Sequence, residues 1–266
     1  MSDLTFVHLS DLHFAGAGEE AWLGMDAAVQ LGRVLDAIAA AGIEPACLAV
    51  SGDLVNGPKA ANYKALREGL GALERFGVPV ILGLGNHDDR PLFRHLILGA
   101  AEGGAEQPCF HSLVVDDLRL IVLDSKGGTG GTIGIGEEQL QFVAEQLCEP
   151  ASRGSVLIIH HPPLPTGVPE LRARLGGRER LAQVIAGSAV RGILCGHVHF
   201  STVGLFAGAV CATAPAVISL LDPNVQDGVR HTDGGGFNLV QLRDGELIID
   251  PIVLAGEQCE LRYDRR

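Results

Sequence analysis

The sequence predicts an α/β protein, with helices flanking a central sheet or sandwich. Three observations predict it. Short apolar runs alternate with stretches of helical periodicity through most of the chain. The part after His199 is rich in strand-like runs. Five of the apolar runs also end in turns that carry His, Asp or Asn.

Taken in order, Leu4–Ser10 reads as a first strand and Met25–Ala41 as a first helix. Ala46–Ser51 is a buried strand, and Lys59–Phe76 is a helix that Gly77 stops, followed by a strand at Pro79–Leu84. Leu118–Leu123 and Ser155–Ile159 are strands separated by a helix at Glu137–Cys148. A helix at Arg178–Ala186 leads into the strand Gly192–Cys195. Strands then follow at Thr202–Phe206, Val210–Thr213, Gly236–Leu242 and Leu247–Val253, the last confined to a sheet edge by Pro251. The Gly-, Asp- and Pro-rich stretch Asp222–Gly235 reads as a loop. One domain over residues 1–266 is expected, with a candidate small cap or lid around 200–236.

Composition narrows the function. A 47% apolar fraction provides a core, and 36 glycines against 5% aromatics imply many tight turns. The net charge of −12 argues against a nucleic-acid groove lined by basic residues. No apolar run reaches the roughly 18 residues of a membrane helix, and the start lacks a signal-peptide pattern, so a cytoplasmic protein is expected. Cys47, Cys109, Cys148, Cys195, Cys211 and Cys259 show no paired spacing and read as reduced thiols.

The strand-end turns carry the chemistry. In Ser10-Asp11-Leu12-His13 the carboxylate and imidazole lie two residues apart, which in extended backbone sends both to one side. Gly52 permits a sharp turn that presents Asp53. Gly85-Asn86-His87-Asp88 offers an amide oxygen beside an imidazole. His160-His161-Pro162-Pro163 follows another buried run, and Gly196-His197-Val198-His199 repeats the alternating spacing of the first motif. Each motif alone occurs by chance; together they sit at carboxyl ends of strands, where α/β sheets build sites. The mixed donors suit zinc, manganese or iron(II) better than magnesium alone.

The ordered set DLH, SGD, GNHD, HHPP and GHVH resembles the calcineurin-like metallophosphoesterases. Within them it is similar to the bacterial class III cyclic nucleotide phosphodiesterases and the related glycerophosphodiesterases. The runs VHLSDLHF, VSGDLVN, GNHDDRPLF and HHPPLPTG extend the likeness, which covers about residues 4–254. The resemblance implies a four-layer fold, a central β-sandwich flanked by helices, and two divalent ions (Fe, Mn, Zn or Co). Asp11, His13 and His199 would hold one ion, Asn86, His160 and His197 the other, and Asp53 would bridge them. His161 would be a packed or neighbouring residue, and His87 would touch substrate rather than metal. Such ions, about 3.5–4 Å apart, would supply a hydroxide that attacks the phosphorus. Against Asp11, Asp53 and that hydroxide they leave about one positive unit, enough to attract a diester.

The expected activity is hydrolysis of a small phosphodiester, either a 3′,5′-cyclic nucleotide or a glycerophosphodiester, with His87 and Asp53 as catalytic residues. Asn86, His87 and His231 are the candidate substrate contacts, with Arg230 beside them. A phosphomonoesterase or protein phosphatase, a nuclease, or a non-catalytic metal-binding scaffold are the competing readings. Relatives imply a homo-oligomer, dimer or larger. His8, His95 and His111 read as structural and Asn56 and Tyr63 as conceivable pocket lining; Asp124-Ser125 ends an apolar strand and is a site candidate by position, which the resemblance makes a loop near the site rather than a ligand. Asp88 and Asp89 read as orienting residues for His87 or a metal-bound imidazole, or as solvated turn carboxylates.

Overall fold

The computed structural model describes residues 3–103, 106–127, 133–149, 151–166, 168, 175–223, 228–256 and 262–265. In chain order these form β1 (Leu4–Leu9), α1 (Ala27–Ala40), β2 (Leu48–Val50), α2 (Ala60–Leu70), β3 (Val80–Leu82), α3 (Arg90–Leu96) and β4 (His111–Val115). Next come β5 (Leu118–Leu123), α4 (Glu137–Cys148), β6 (Ser155–Ile159), α5 (Arg178–Ile185), β7 (Val190–Cys195), β8 (Val203–Phe206) and β9 (Ala209–Thr213). The chain closes with β10 (Leu220–Asp222), β11 (Gly228–Thr232), β12 (Gly235–Arg243), β13 (Glu246–Leu254) and β14 (Arg262–Arg265). A five-stranded sheet runs β13-β12-β1-β2-β3 and a six-stranded sheet runs β4-β5-β6-β7-β9-β8.

Period-two alternation sorts the side chains into layers. Phe6, Ala49 and Ile81 of the first sheet pack on Leu120, Val122, Val156, Ile158 and Leu194 of the second. Their neighbours Val7, Leu9, Leu48 and Val50 face the other way, onto Leu31, Leu35 and Ile38 of α1 and Leu66 of α2. Behind the second sheet, Ile121, Leu123, Leu157 and Ile193 pack on Leu140 and Val143 of α4 and Leu181 and Ile185 of α5. The result is helix, sheet, sheet, helix: the expected four-layer sandwich. Each such aliphatic side chain contributes roughly 1.5–3 kcal/mol on burial.

β1, β2 and β3 run parallel, as do β5, β6 and β7, so each group ends along one edge of its sheet. Hydrogen bonds between the following loops show that the two edges lie side by side; the N–H of His197 after β7, for example, reaches Asp11 after β1. The helix expected over Lys59–Phe76 is α2 followed by a 3-10 turn over Gly71–Phe76, and Gly77, at φ 63°, ends it. Pro251 lies in β13 at the sheet edge, paired only with Asn238.

The loop expected over Asp222–Gly235 is corrected. β10 and β11 pair antiparallel there, and β11 also pairs with β14, making a three-stranded sheet. The turn-rich composition hides this, because pairing with a strand some thirty residues away leaves no local pattern. Residues 224–227 of that stretch, and Cys259, lie outside the described residues. No helix among the described residues is long and apolar enough to cross a membrane.

Candidate metal centre

The loops after β1 and β2 are zipped together. Asp11 N donates to Gly52 O at 3.0 Å, His13 N to Asp53 O at 3.0 Å, and Phe14 N to Leu54 O at 3.0 Å. This pairing forces an unusual backbone. Asp11, His13, Asp53, His197 and His199 have φ of 57°, 48°, 49°, 72° and 57°. The expectation that Asp11 and His13 share a side through extended backbone is therefore corrected: left-handed turns, repeated at His197 and His199, aim these side chains. Asp and His tolerate that region better than most residues, at a cost on the order of 1–3 kcal/mol each.

The glycines of the motifs are fixed by contact as well as by conformation. A Cβ on Gly52 would lie 2.6 Å from Gly85 N and 2.9 Å from His160 Nδ1, and its φ is 121°. One on Gly85 would overlap the Asp53 carboxylate, and one on Gly196 would overlap Ser10 Oγ and crowd Asp11 Oδ2. Each motif glycine makes room for the functional side chain of a different motif.

The side chains so aimed converge. Asp11, His13 and His199 form a group whose ligand atoms lie within 4.8 Å of one another, as do Asp11, Asp53 and His160. The sets His13, Asp53 and His87, and His160, His161 and His197, meet the same limit. Asp53 Oδ2 lies 3.2 Å from His160 Nε2 and 3.7 Å from His13 Nε2, between the two ends of the cluster. Its Oδ1 accepts from His87 N at 2.8 Å. Asn86 Oδ1 joins at 3.1 Å from His161 Nε2. All seven expected ligands are thus in one place, with His87 at its edge.

The donor set fits cations. His199 Nδ1 lies 3.1 Å from the Ser219 carbonyl and must donate to it, which leaves Nε2 as a bare lone pair in the neutral ring. That lone pair faces Asp11 Oδ1 at 3.4 Å and His13 Nε2 at 3.3 Å. An imidazole lone pair facing the Asp11 carboxylate in a buried space calls for positive charge between them.

Electrostatics agree at Asp53, Asp11, His13 and His197 but not at His160, where burial is outweighed by Asp53 and then Asp11 and the ring rises to about 9, so that it must shed a proton to bind a cation. Burial works against the Asp53 charge, but His160, then His13 and His87, outweigh it and hold the carboxyl well below its usual range. Asp11 goes the same way, burial being overcome by His199 and then His160. Burial drives His13 down to about 3 and His197 to about 4, the neutral form that a metal requires.

Several residues are placed differently from expectation. Tyr63 is wholly buried and exchanges hydrogen bonds with the Asp89 backbone, so it does not line the site, while the Asn56 Nδ2 donates to Glu20 O at 2.8 Å. Asp88 is not oriented toward His87; its carboxylate accepts from the backbone of Leu54, Val55 and Gly85. Asp89 caps α3 through Leu92 N. His8 is buried beside Asn238, as a structural histidine would be. Asp124 pairs with Arg90 at 2.7 Å beneath the site, while Ser125 bonds His161. His231, on β11, has its ring 6.5 Å from that of Trp22.

Trp22 escaped the sequence reading. Its indole stacks on His13 at 4.2 Å between centroids and lies 5.0 Å from His199. Its N–H donates to Ser219 Oγ at 2.9 Å, so Ser219 braces both the indole and His199. As the chain's single Trp it was the one sequence signal available.

Comparison with known proteins places this geometry. A probable cyclic nucleotide phosphodiesterase of Rhodococcus erythropolis is 39% identical over 257 residues, covering 94% of this chain and 83% of that protein. A cAMP/cGMP dual specificity phosphodiesterase of Mycobacterium tuberculosis is 33% identical over 261 residues, covering 96% and 80%. Among solved structures, a dimetal phosphatase of Danio rerio superposes with a TM-score of 0.63 at 17% identity, covering 92% of this chain and 98% of that one, a likeness of fold alone. Residues 4–201 match the calcineurin-like phosphoesterase family. The chain belongs to that family of metallophosphoesterases, which are hydrolases.

Proposed function

We propose that this chain hydrolyses 3′,5′-cyclic nucleotides at a centre of two divalent ions. The observation that carries the reading is the position of Asp53 Oδ2, flanked at 3.2 and 3.7 Å by imidazoles from opposite ends of the cluster. One oxygen so placed would serve both ions. Asp11, His13 and His199 would hold the first, and Asn86, His160 and His197 the second. The mixture of imidazole, carboxylate and amide favours iron, manganese, zinc or cobalt. Two such ions supply Lewis acidity to the phosphoryl oxygens and lower the pKa of an attacking water.

The chain's own residues do the rest. His87 is half-buried at the rim, anchored by its N–H on Asp53, and its ring is free to protonate or stabilise the leaving alkoxide. The Trp22 ring lies 5.7 Å from that of His87 and 6.5 Å from that of the buried His231, and the sugar or base would lie against it. The choice of a cyclic nucleotide over a glycerophosphodiester rests on the names of the relatives that are 39% and 33% identical.

A panel of cyclic nucleotides, glycerophosphodiesters and monoesters, assayed with manganese, iron, cobalt and zinc, tests this reading. Preferred turnover of cAMP or cGMP is expected. No turnover of any diester with any metal would sink it.

A further inference from the structure

We propose that His161 is a positioning residue that fixes the amide oxygen of Asn86 toward the second ion, with its own tautomer set by Ser125. The proposal rests on the reading of Asn86 as a ligand. His161 is wholly buried, and both of its ring nitrogens are engaged. Nδ1 lies 2.8 Å from Ser125 Oγ, and Nε2 lies 3.1 Å from Asn86 Oδ1. The backbone N–H of His161 donates to the same Ser125 oxygen at 3.2 Å.

Counting protons gives one solution for a neutral ring. An amide oxygen only accepts, so Nε2 carries the hydrogen and donates to Asn86. Nδ1 is then bare and takes the Ser125 hydroxyl proton, while the serine lone pair receives the His161 N–H. Every group in the chain Ser125–His161–Asn86 is satisfied in that one arrangement.

The same count decides a second matter. His161 belongs to the group with His160 and His197 whose ligand atoms lie within 4.8 Å, so proximity alone would make it a ligand. A nitrogen that carries a proton has no lone pair to give. His161 therefore serves the ion through Asn86.

Asn86 needs such help. It is exposed at the tip of β3, and its side chain makes this one hydrogen bond among the described residues. An unrestrained amide turns over readily, and half a turn of its plane would present an NH₂ group to the cation. The Nε2–H of His161 selects the oxygen. Outer partners of this kind typically change metal affinity about 10–100-fold.

The test uses the full chain, with manganese and cobalt affinities read by chelator competition, bound ions counted by mass spectrometry, and Trp22 emission as a second signal. His161→Leu should weaken one ion about 10–100-fold, leave the other unchanged, and still reach two ions at saturation. His161→Gln, whose amide N–H falls near the lost Nε2–H, should restore most of the affinity. Ser125→Ala should fall between, and it keeps the test alive if leucine prevents folding. Two results would overturn the proposal: His161→Leu binding both ions as the parent does, or His161→Gln and His161→Leu alike saturating at one ion. Asn86→Leu separates the two claims. If it holds both ions unchanged, the ligand reading fails and the proposal with it. If it loses an ion while His161→Leu loses none, only the positioning role falls.

Discussion

His8, in the body of β1, and His160, at the tip of β6, are both wholly buried, yet they are driven in opposite directions. Burial holds His8 down at about 3, with only a partial counter-pull from Asp11. At His160 burial pushes the same way, but Asp53 and then Asp11 overcome it and lift the ring to about 9. The bodies of the strands are ordinary apolar alternation, and an imidazole there stays neutral. Their tips combine left-handed backbone, crowded glycines and facing acceptors, which together hold charge where the fold alone would expel it. Stability thus resides in the bodies, and the tips spend some of it on a place for cations.

Asp53→Asn is the sharpest way to break the division, because it removes the one charge both halves of the centre share. Turnover should fall about a thousandfold or more, since metal catalysis supplies several kcal/mol and each 1.36 kcal/mol is tenfold. Bound ions counted by mass spectrometry should drop below two. Full metal content with normal turnover would refute the bridging role.

The body is probed by Ile158→Ala, which opens a cavity between the sheets beside Leu120 and Val156. Denaturation should show a loss of about 2–5 kcal/mol, with ion stoichiometry intact in the folded fraction. A parallel loss of metal affinity would mean that body and tip are not separable. Gly196→Ala makes the converse change: its new Cβ crowds Ser10 and Asp11. A cost of about 1–3 kcal/mol is expected, and the affinity of the ion held by Asp11 should suffer more than stability does. Isothermal titration beside melting curves would show which falls further.

This division also explains what the sequence could tell. Strand bodies announce themselves as apolar runs, and period two puts Phe6 and Val7 on opposite faces, but which face meets the second sheet and which the helices is decided by packing. Asp11, Asp53 and His199 are legible because few chemistries need those residue types at strand ends. Their left-handed backbone is not, since the resemblance of a D-x-H spacing to an extended strand carries no φ. Nor is Trp22: it lies nine residues beyond His13 in an irregular loop, and only the return of the chain at Ser219 sets it against the imidazole. The pairing of β11 with β14 is hidden for the same reason, being a contact between distant segments of turn-like composition.

The smallest effect, and the one that tests the two histidines directly, is pH. In protein stripped of metal by a chelator, the folded His160 is raised from 6.5 to about 9, so its pairing with Asp53 stabilises fully below pH 6.5 and fades as pH rises through about 9. His8 is depressed from 6.5 to about 3, so its contribution is present above pH 6.5 and is lost as pH falls toward about 3. Metal-free stability should therefore decline on both sides, by at most about 1.4 kcal/mol per pH unit from each ring. His8→Gln should make the acid limb less steep, the buried His13 and His197 keeping the rest of it, and leave the alkaline limb as it was. Because a metal must displace the His160 proton, cation affinity should instead climb with pH, approaching tenfold per unit, and level off near about 9. An affinity independent of pH between 6 and 9 would show that the His160 ring is already neutral when metal arrives. The contrast between body and tip would then rest on backbone geometry alone.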